Sequence, residues 1–173
     1  MDRIAEFGKV RQDIFNEIAQ EEFGLTDEQV LAAYENITLP KRATSGSAGY
    51  DFYAPFDITL EPGETAKIPT GIRAKMENGW VLMIFPRSGF GFKYRLMLDN
   101  TVGVIDSDYY YSDNEGHIMI KVTNMSGVCA GSAGKTLNIA AGQGFAQGVF
   151  MPFGITTDDD TDGVRNGGLG STG

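Results

Sequence analysis

A chain of 173 residues is long enough for one domain with a full core and too short for two comfortable ones. With 42% hydrophobic and 21% charged residues it reads as a globular protein, and its net charge of −9 excludes nucleic-acid recognition through a broad basic surface, though not an anionic ligand held by a few gathered arginines. The single cysteine, Cys129, excludes an intramolecular disulfide framework and a cysteine-rich zinc site. No early apolar run resembles a signal peptide and none is long enough to span a membrane, so a cytoplasmic location without membrane contact is expected.

Ile4, Phe7, Val10, Ile14, Phe15 and Ile18 recur at helical steps, which predicts an amphipathic helix over about residues 2–23, closed by Gly24. Thr26 and Gln29 have capping-box spacing ahead of Val30, Leu31 and Tyr34, predicting a second helix to about Glu35. Beyond Pro40 the period changes to two. The segments "DITL", "TAKIP", "GIRAKM", "WVLMIF", "GHIMIKV" and "TLNIA" are short and rich in β-branched residues, with turn signals at Pro62-Gly63 and Asn78-Gly79 between them. This pattern predicts an all-β barrel or sandwich over residues 37–157, with an N-terminal helical extension over 1–36. The apolar helical face has to be buried on the β-body, between subunits or on a protein partner. From 158 to 173 the chain is acidic and then glycine-rich, the composition of a mobile arm.

Some apparent motifs fail on inspection. "AGSAGKT" lacks the first glycine of a P-loop, since Cys129 stands there, and "LNIAAGQG" makes a poor following helix; a surface hairpin fits better. Asp158, Asp160, Asp162 and Gly163 have the spacing of an EF-hand loop, but Leu169 occupies the position of its bidentate glutamate, so a solvated acidic hinge is expected. Ser88 lacks the first glycine of a nucleophile elbow because Pro86 replaces it. His117 alternates within "GHIMIKV" so as to point away from the core, as a surface or interface residue.

Five glycine-bearing segments remain: "SAGYDFYAP" (47–55), "PRSGFGFKY" (86–94), "NTVGVIDSDYY" (100–110), "GQGFAQGVFMP" (142–152) and the tail "GVRNGGLGSTG" (163–173). In this order they resemble the five motifs of the trimeric dUTP diphosphatase (dUTPase) family over about residues 38–173. "GVIDSDYY" followed by "NEGHI" is most similar to the Gram-positive bacterial and phage branch.

The resemblance implies a jelly-roll-like subunit that hydrolyses dUTP to dUMP and diphosphate, within a homotrimer whose active sites each draw on three chains. The second and fourth motifs come from one chain, the third from another, and the arm from the last. Asp106 matches the carboxylate that activates the attacking water. Asp108 would be a supporting charge. Asn100 and Gly103 match the hairpin that reads uracil, and Tyr109 matches the ring under the deoxyribose that rejects a 2′-hydroxyl. Arg87, Ser88 and Gly89 of the second motif and Gln147 of the fourth match phosphate-binding positions, and Asp51 would orient an arginine or a metal-bound water. Mg2+ is implied as the cofactor, held mainly by the triphosphate and waters. In the tail, Arg165 would reach the terminal phosphate, with Gly170, Ser171 and Thr172 supplying donors. Leu169 stands where most relatives carry a uracil-stacking phenylalanine. Two rivals remain open: a dCTP deaminase-like enzyme of the same fold, and a non-catalytic module that binds a protein through its N-terminal helices.

Overall fold

In the computed structural model the described residues are 2–128, 133–165 and 167. The chain opens with a difference from the helical periodicity. Residues 5–9 are not helical: β1 (Ala5–Lys9) pairs antiparallel with β6 (Ile72–Met76), Phe7 opposite Ala74. Tertiary packing overrides the local pattern, because Phe7 gains three aromatic neighbours in the β-body, with ring centroids at 5.4 Å from Tyr50, 5.8 Å from Phe52 and 5.7 Å from Phe150.

The helix expected from residue 2 begins instead at Gln12. Helix α1 (Gln12–Phe23) ends on Gly24, whose φ of 62° and N–H to the Gln20 carbonyl make the expected left-handed stop. Helix α2 (Asp27–Glu35) starts with the capping box read from the sequence: the Gln29 N–H donates to Thr26 Oγ1, and the Thr26 N–H donates to Gln29 Oε1. Val10, Phe15, Ala19, Val30 and Ala33 belong to the same buried cluster as the strands, so part of the apolar helical face is covered by the β-body. The Lys67–Glu22 ion pair at 2.5 Å ties α1 to β5 (Thr65–Pro69).

The remaining body is mostly strand, arranged in small antiparallel sheets around one core. The largest has the order β2 (Lys41–Arg42), β3 (Tyr50–Tyr53), β12 (Gly144–Pro152), β7 (Trp80–Pro86), β9 (Gly103–Ile105). A second joins β5, β10 (Met119–Asn124) and β8 (Leu96–Leu98), and a third joins β11 (Leu137–Ile139) to β4 (Ile58–Leu60). Inward residues alternate as a half-buried strand demands: Leu82 and Ile84 on β7, and Ile120 and Val122 on β10, are all 2% exposed or less.

His117 corrects the surface expectation, being wholly buried next to Phe15, with ring centroids 6.4 Å apart. It precedes β10 rather than lying in it, so strand alternation does not govern its direction. Its Nε2 accepts the Gly71 N–H at 3.0 Å, and burial pushes its pKa down to about 4. Among the described residues, no helix is long and apolar enough to cross a membrane.

Candidate active site

Strand β9 ends at Ile105, opposite Leu82, and the chain then turns into a short 3-10 helix (Ser107–Tyr111) for which Asp106 is the N-cap residue. This delivers Asp106 and Asp108 to the surface on one side of the turn while Tyr109 points inward. The buried Tyr109 hydroxyl donates to the His117 carbonyl at 2.8 Å and accepts from Asn114 Nδ2 at 2.9 Å. Burial raises its pKa above the ordinary phenol value, so it remains a donor. Gly103, at the other end of β9, packs so closely that a Cβ there would lie 3.0 Å from Ile84 Cβ. Asn100 is exposed in the turn between β8 and β9, next to Thr101 at φ 67°. A β-branched residue rarely adopts that conformation, so the turn is strained where base recognition is expected. Sequence reading did not single out Thr101, since nothing in its pattern signals a positive φ.

Arg165 comes from the arm of the same chain onto this turn. Its Nη2 lies 2.5 Å from Asp106 Oδ2, its Nε 2.9 Å from Asp108 Oδ1, and its guanidinium carbon 5.8 Å from the Tyr109 ring centroid. In this single chain the arginine engages the carboxylates of its own subunit. Two carboxylates spaced two residues apart offer several acceptor oxygens to one guanidinium, as a phosphate also does. Leu169, Gly170, Ser171 and Thr172 lie outside the described residues.

A second group assembles beyond the other end of β7. Gln147 on β12 sits between Asp51 on β3 and Phe85 on β7 in register. Its amide lies against Gly49, where a Cβ would come within 2.7 Å of Gln147 Oε1, so a larger residue would displace it. Arg87 Nε lies 3.3 Å from Asp51 Oδ1, and Nη1 donates to the Gly144 carbonyl at 3.4 Å. Arg87, Ser88 and Gly89 line a cleft of about 410 Å³ together with Lys93 and Gln143, a cationic and hydrogen-bonding wall suited to an anion. The structure thus brings Asp51, Arg87, Ser88, Gly89 and Gln147 together, and separately Asp106, Asp108, Tyr109 and Arg165. From Leu82, opposite Ile105, to Arg87 the chain runs five residues. At the strand rise of about 3.3 Å per residue that is roughly 17 Å. The two groups therefore stand at opposite ends of β7.

The β-body thus carries a carboxylate turn at one end of β7 and a cationic cleft at the other, and similarity to known proteins defines the class. The dUTPase family model matches residues 35–173, and the chain belongs to the dUTPase family. It is 42% identical over 150 residues to the deoxyuridine 5'-triphosphate nucleotidohydrolase of Lactococcus lactis subsp. lactis (strain IL1403), covering 84% of this chain and 95% of that protein. The crystal structure of the Streptococcus mutans dUTPase superposes with a TM-score of 0.62 at 36% identity, covering 87% of this chain and 97% of that one. A mutant dUTPase of phage phi11 of S. aureus, whose structure details the coordination of a structural Mg(II) ion, superposes with a TM-score of 0.62 over 95% of this chain and 100% of that one; at 20% identity it bears on the fold alone.

Proposed function

We propose that this chain hydrolyses dUTP to dUMP and diphosphate, with Asp106 as general base, in a homotrimer of jelly-roll-like subunits whose half-sites complete one another. The observation that carries the mechanism is the turn after β9, where Asp106 stands at the surface beside a Tyr109 fixed through its hydroxyl. A carboxylate within reach of a water aimed at the α-phosphorus can take its proton as the phosphorus–oxygen bond forms, and the diphosphate then leaves. Tyr109 screens the sugar, and Asn100 with the Gly103 backbone reads the uracil edge while the narrow hairpin leaves no room for a thymine methyl. Arg87, Ser88, Gly89 and Gln147 of a neighbouring subunit receive the phosphates.

The arm then has two positions. Without nucleotide, Arg165 neutralises Asp106 and Asp108; a triphosphate, carrying more charge, draws it away and leaves the base free to accept a proton. Leu169, Gly170, Ser171 and Thr172 follow as a lid. The donor chemistry fits Mg2+ brought in with the triphosphate: Asp51 beside Arg87 can hold a metal-bound water, and the ion would neutralise phosphate charge when bound. Diphosphate release measured with dUTP, dCTP and UTP tests the reading. Turnover of dUTP alone supports it; ammonia release from dCTP, or no turnover of any of the three, overturns it.

A further inference from the structure

Glu115 belongs to none of the expected site positions, yet its backbone and side chain are both out of the ordinary. Its φ is 57°, a conformation that favours glycine, so the backbone alone gives no reason for a glutamate there. Its half-buried carboxylate is occupied on several sides. Oε2 accepts the Arg11 N–H at 2.9 Å and lies 3.5 Å from Arg73 Nη1, while Oε1 lies 3.5 Å from Arg11 Nη1. Arg11 is the N-cap residue of α1 and its own side chain makes no capping bond. A residue 104 positions away therefore supplies the negative charge that the positive end of this helix favours.

Arg73 carries the connection into the active-site turn. Its Nη2 donates to the Tyr110 carbonyl at 2.8 Å, and its guanidinium carbon lies 3.7 Å from the Tyr110 ring centroid. Tyr110 follows Tyr109 in the 3-10 helix that Asp106 opens. The loop bearing Glu115 presses on the same backbone: a Cβ at Gly116 would come within 2.7 Å of the Tyr109 carbonyl oxygen and of Tyr110 Cα. Asn114 closes the arrangement, donating to the Tyr109 hydroxyl and accepting the Gly116 N–H at 3.1 Å.

We propose that Glu115, acting through Arg73, is a positioning residue for the hydrolysis, clamping the turn that carries Asp106 and Tyr109 to the start of the N-terminal helix. The inference rests on the dUTPase reading of that turn. Glu115 touches no substrate; it fixes where the Tyr109 ring and the Asp106 carboxylate stand. Loss of the clamp lets the ring shift, so it alters sugar discrimination as well as rate.

The test uses the full chain and compares Glu115→Gln with Glu115→Gly, the second removing the carboxylate while suiting the backbone. Arg73→Lys keeps the charge but cannot stack on Tyr110 and bond its carbonyl together. Each variant is expected to lower kcat/KM for dUTP by about tenfold and to narrow the dUTP-over-UTP preference by several fold, with the oligomer intact. Amide exchange of residues 107–117 should speed up in all three. Unchanged kcat/KM and preference in the Gly variant overturn the proposal. So does a proportional loss on both substrates that merely tracks a lower Tm, which marks a purely structural residue. Should Glu115→Gln fail to fold, Glu115→Gly and Arg73→Lys decide. Wild-type turnover judges the dUTPase reading separately, and exchange over residues 107–117 judges the clamp even if that reading fails.

Discussion

The Tyr109 hydroxyl is both donor and acceptor, to the His117 carbonyl and from Asn114 Nδ2, so the ring cannot swing away without breaking one buried and one partly buried hydrogen bond. Tyr109→Ala should therefore raise UTP turnover relative to dUTP by removing the ring that meets the 2′-hydroxyl, whereas Tyr109→Phe should keep the preference and lose about 1–3 kcal/mol of stability from the unpaired partners. Equal loss on both nucleotides in Tyr109→Ala would remove the residue from the sugar pocket. Asp106→Asn keeps size and removes the base, so kcat should drop by about two to four orders of magnitude with nucleotide affinity little changed. A variant within threefold of wild type, in a steady-state assay, would end the assignment.

His117 gives a pH effect at the same scale. Its folded pKa of about 4 lies below the unfolded value near 6.5, so between those limits the unfolded chain binds more protons. Its contribution is complete above pH 6.5 and is lost as pH falls toward 4, the loss being on the order of 3 kcal/mol by the acid end. Urea midpoints of wild type and His117→Gln should diverge as pH rises from 5 to 7; parallel curves would contradict the buried neutral ring. The roles proposed for Asp106 and Tyr109 rest on their motif. The burial of His117 was not legible in the sequence, because it comes from α1 packing over a segment outside the strand, a contact no local pattern encodes.

Among the elements, those read best from sequence carried their own terminators: the capping box at Thr26, the left-handed stop at Gly24, and strands bounded by turn signals such as Pro62-Gly63. β1 was misread because Ile4, Phe7 and Val10 satisfy a helical period while edge pairing with β6, 67 residues away at Phe7–Ala74, is a non-local decision. The Glu115 clamp escaped for the same reason, its "DNEG" being a plain turn signal. For the arm, Arg165 is held by the charges of Asp106 and Asp108. Truncation after Thr161 should leave Tm nearly unchanged, since Asp162, Gly163 and Val164 are exposed and the removed sequence is glycine-rich. The same truncation should lower turnover by orders of magnitude. A large fall in Tm would instead make the arm a structural strap.

At the scale of the whole molecule, the separation of the half-sites along β7 sets the decisive expectation. Asp106 lies past the Leu82 pairing and Arg87 beyond Pro86, so a subunit inactivated at one half still owns an intact copy of the other. Asp106→Asn and Arg87→Ala chains should each be nearly inactive alone. Mixed by co-expression, they should complement, because a site formed between an Arg87-bearing subunit and an Asp106-bearing neighbour is wild type in both halves. In a closed ring of three, any mixed composition contains one such junction. Random one-to-one mixing makes about three quarters of the rings mixed, so recovery of about one quarter of wild-type activity is expected. Sites built within single chains would give no recovery, and a dimer with shared sites would recover the same fraction at a different mass. Light scattering on the same mixture therefore separates a three-fold ring with shared sites from each simpler arrangement.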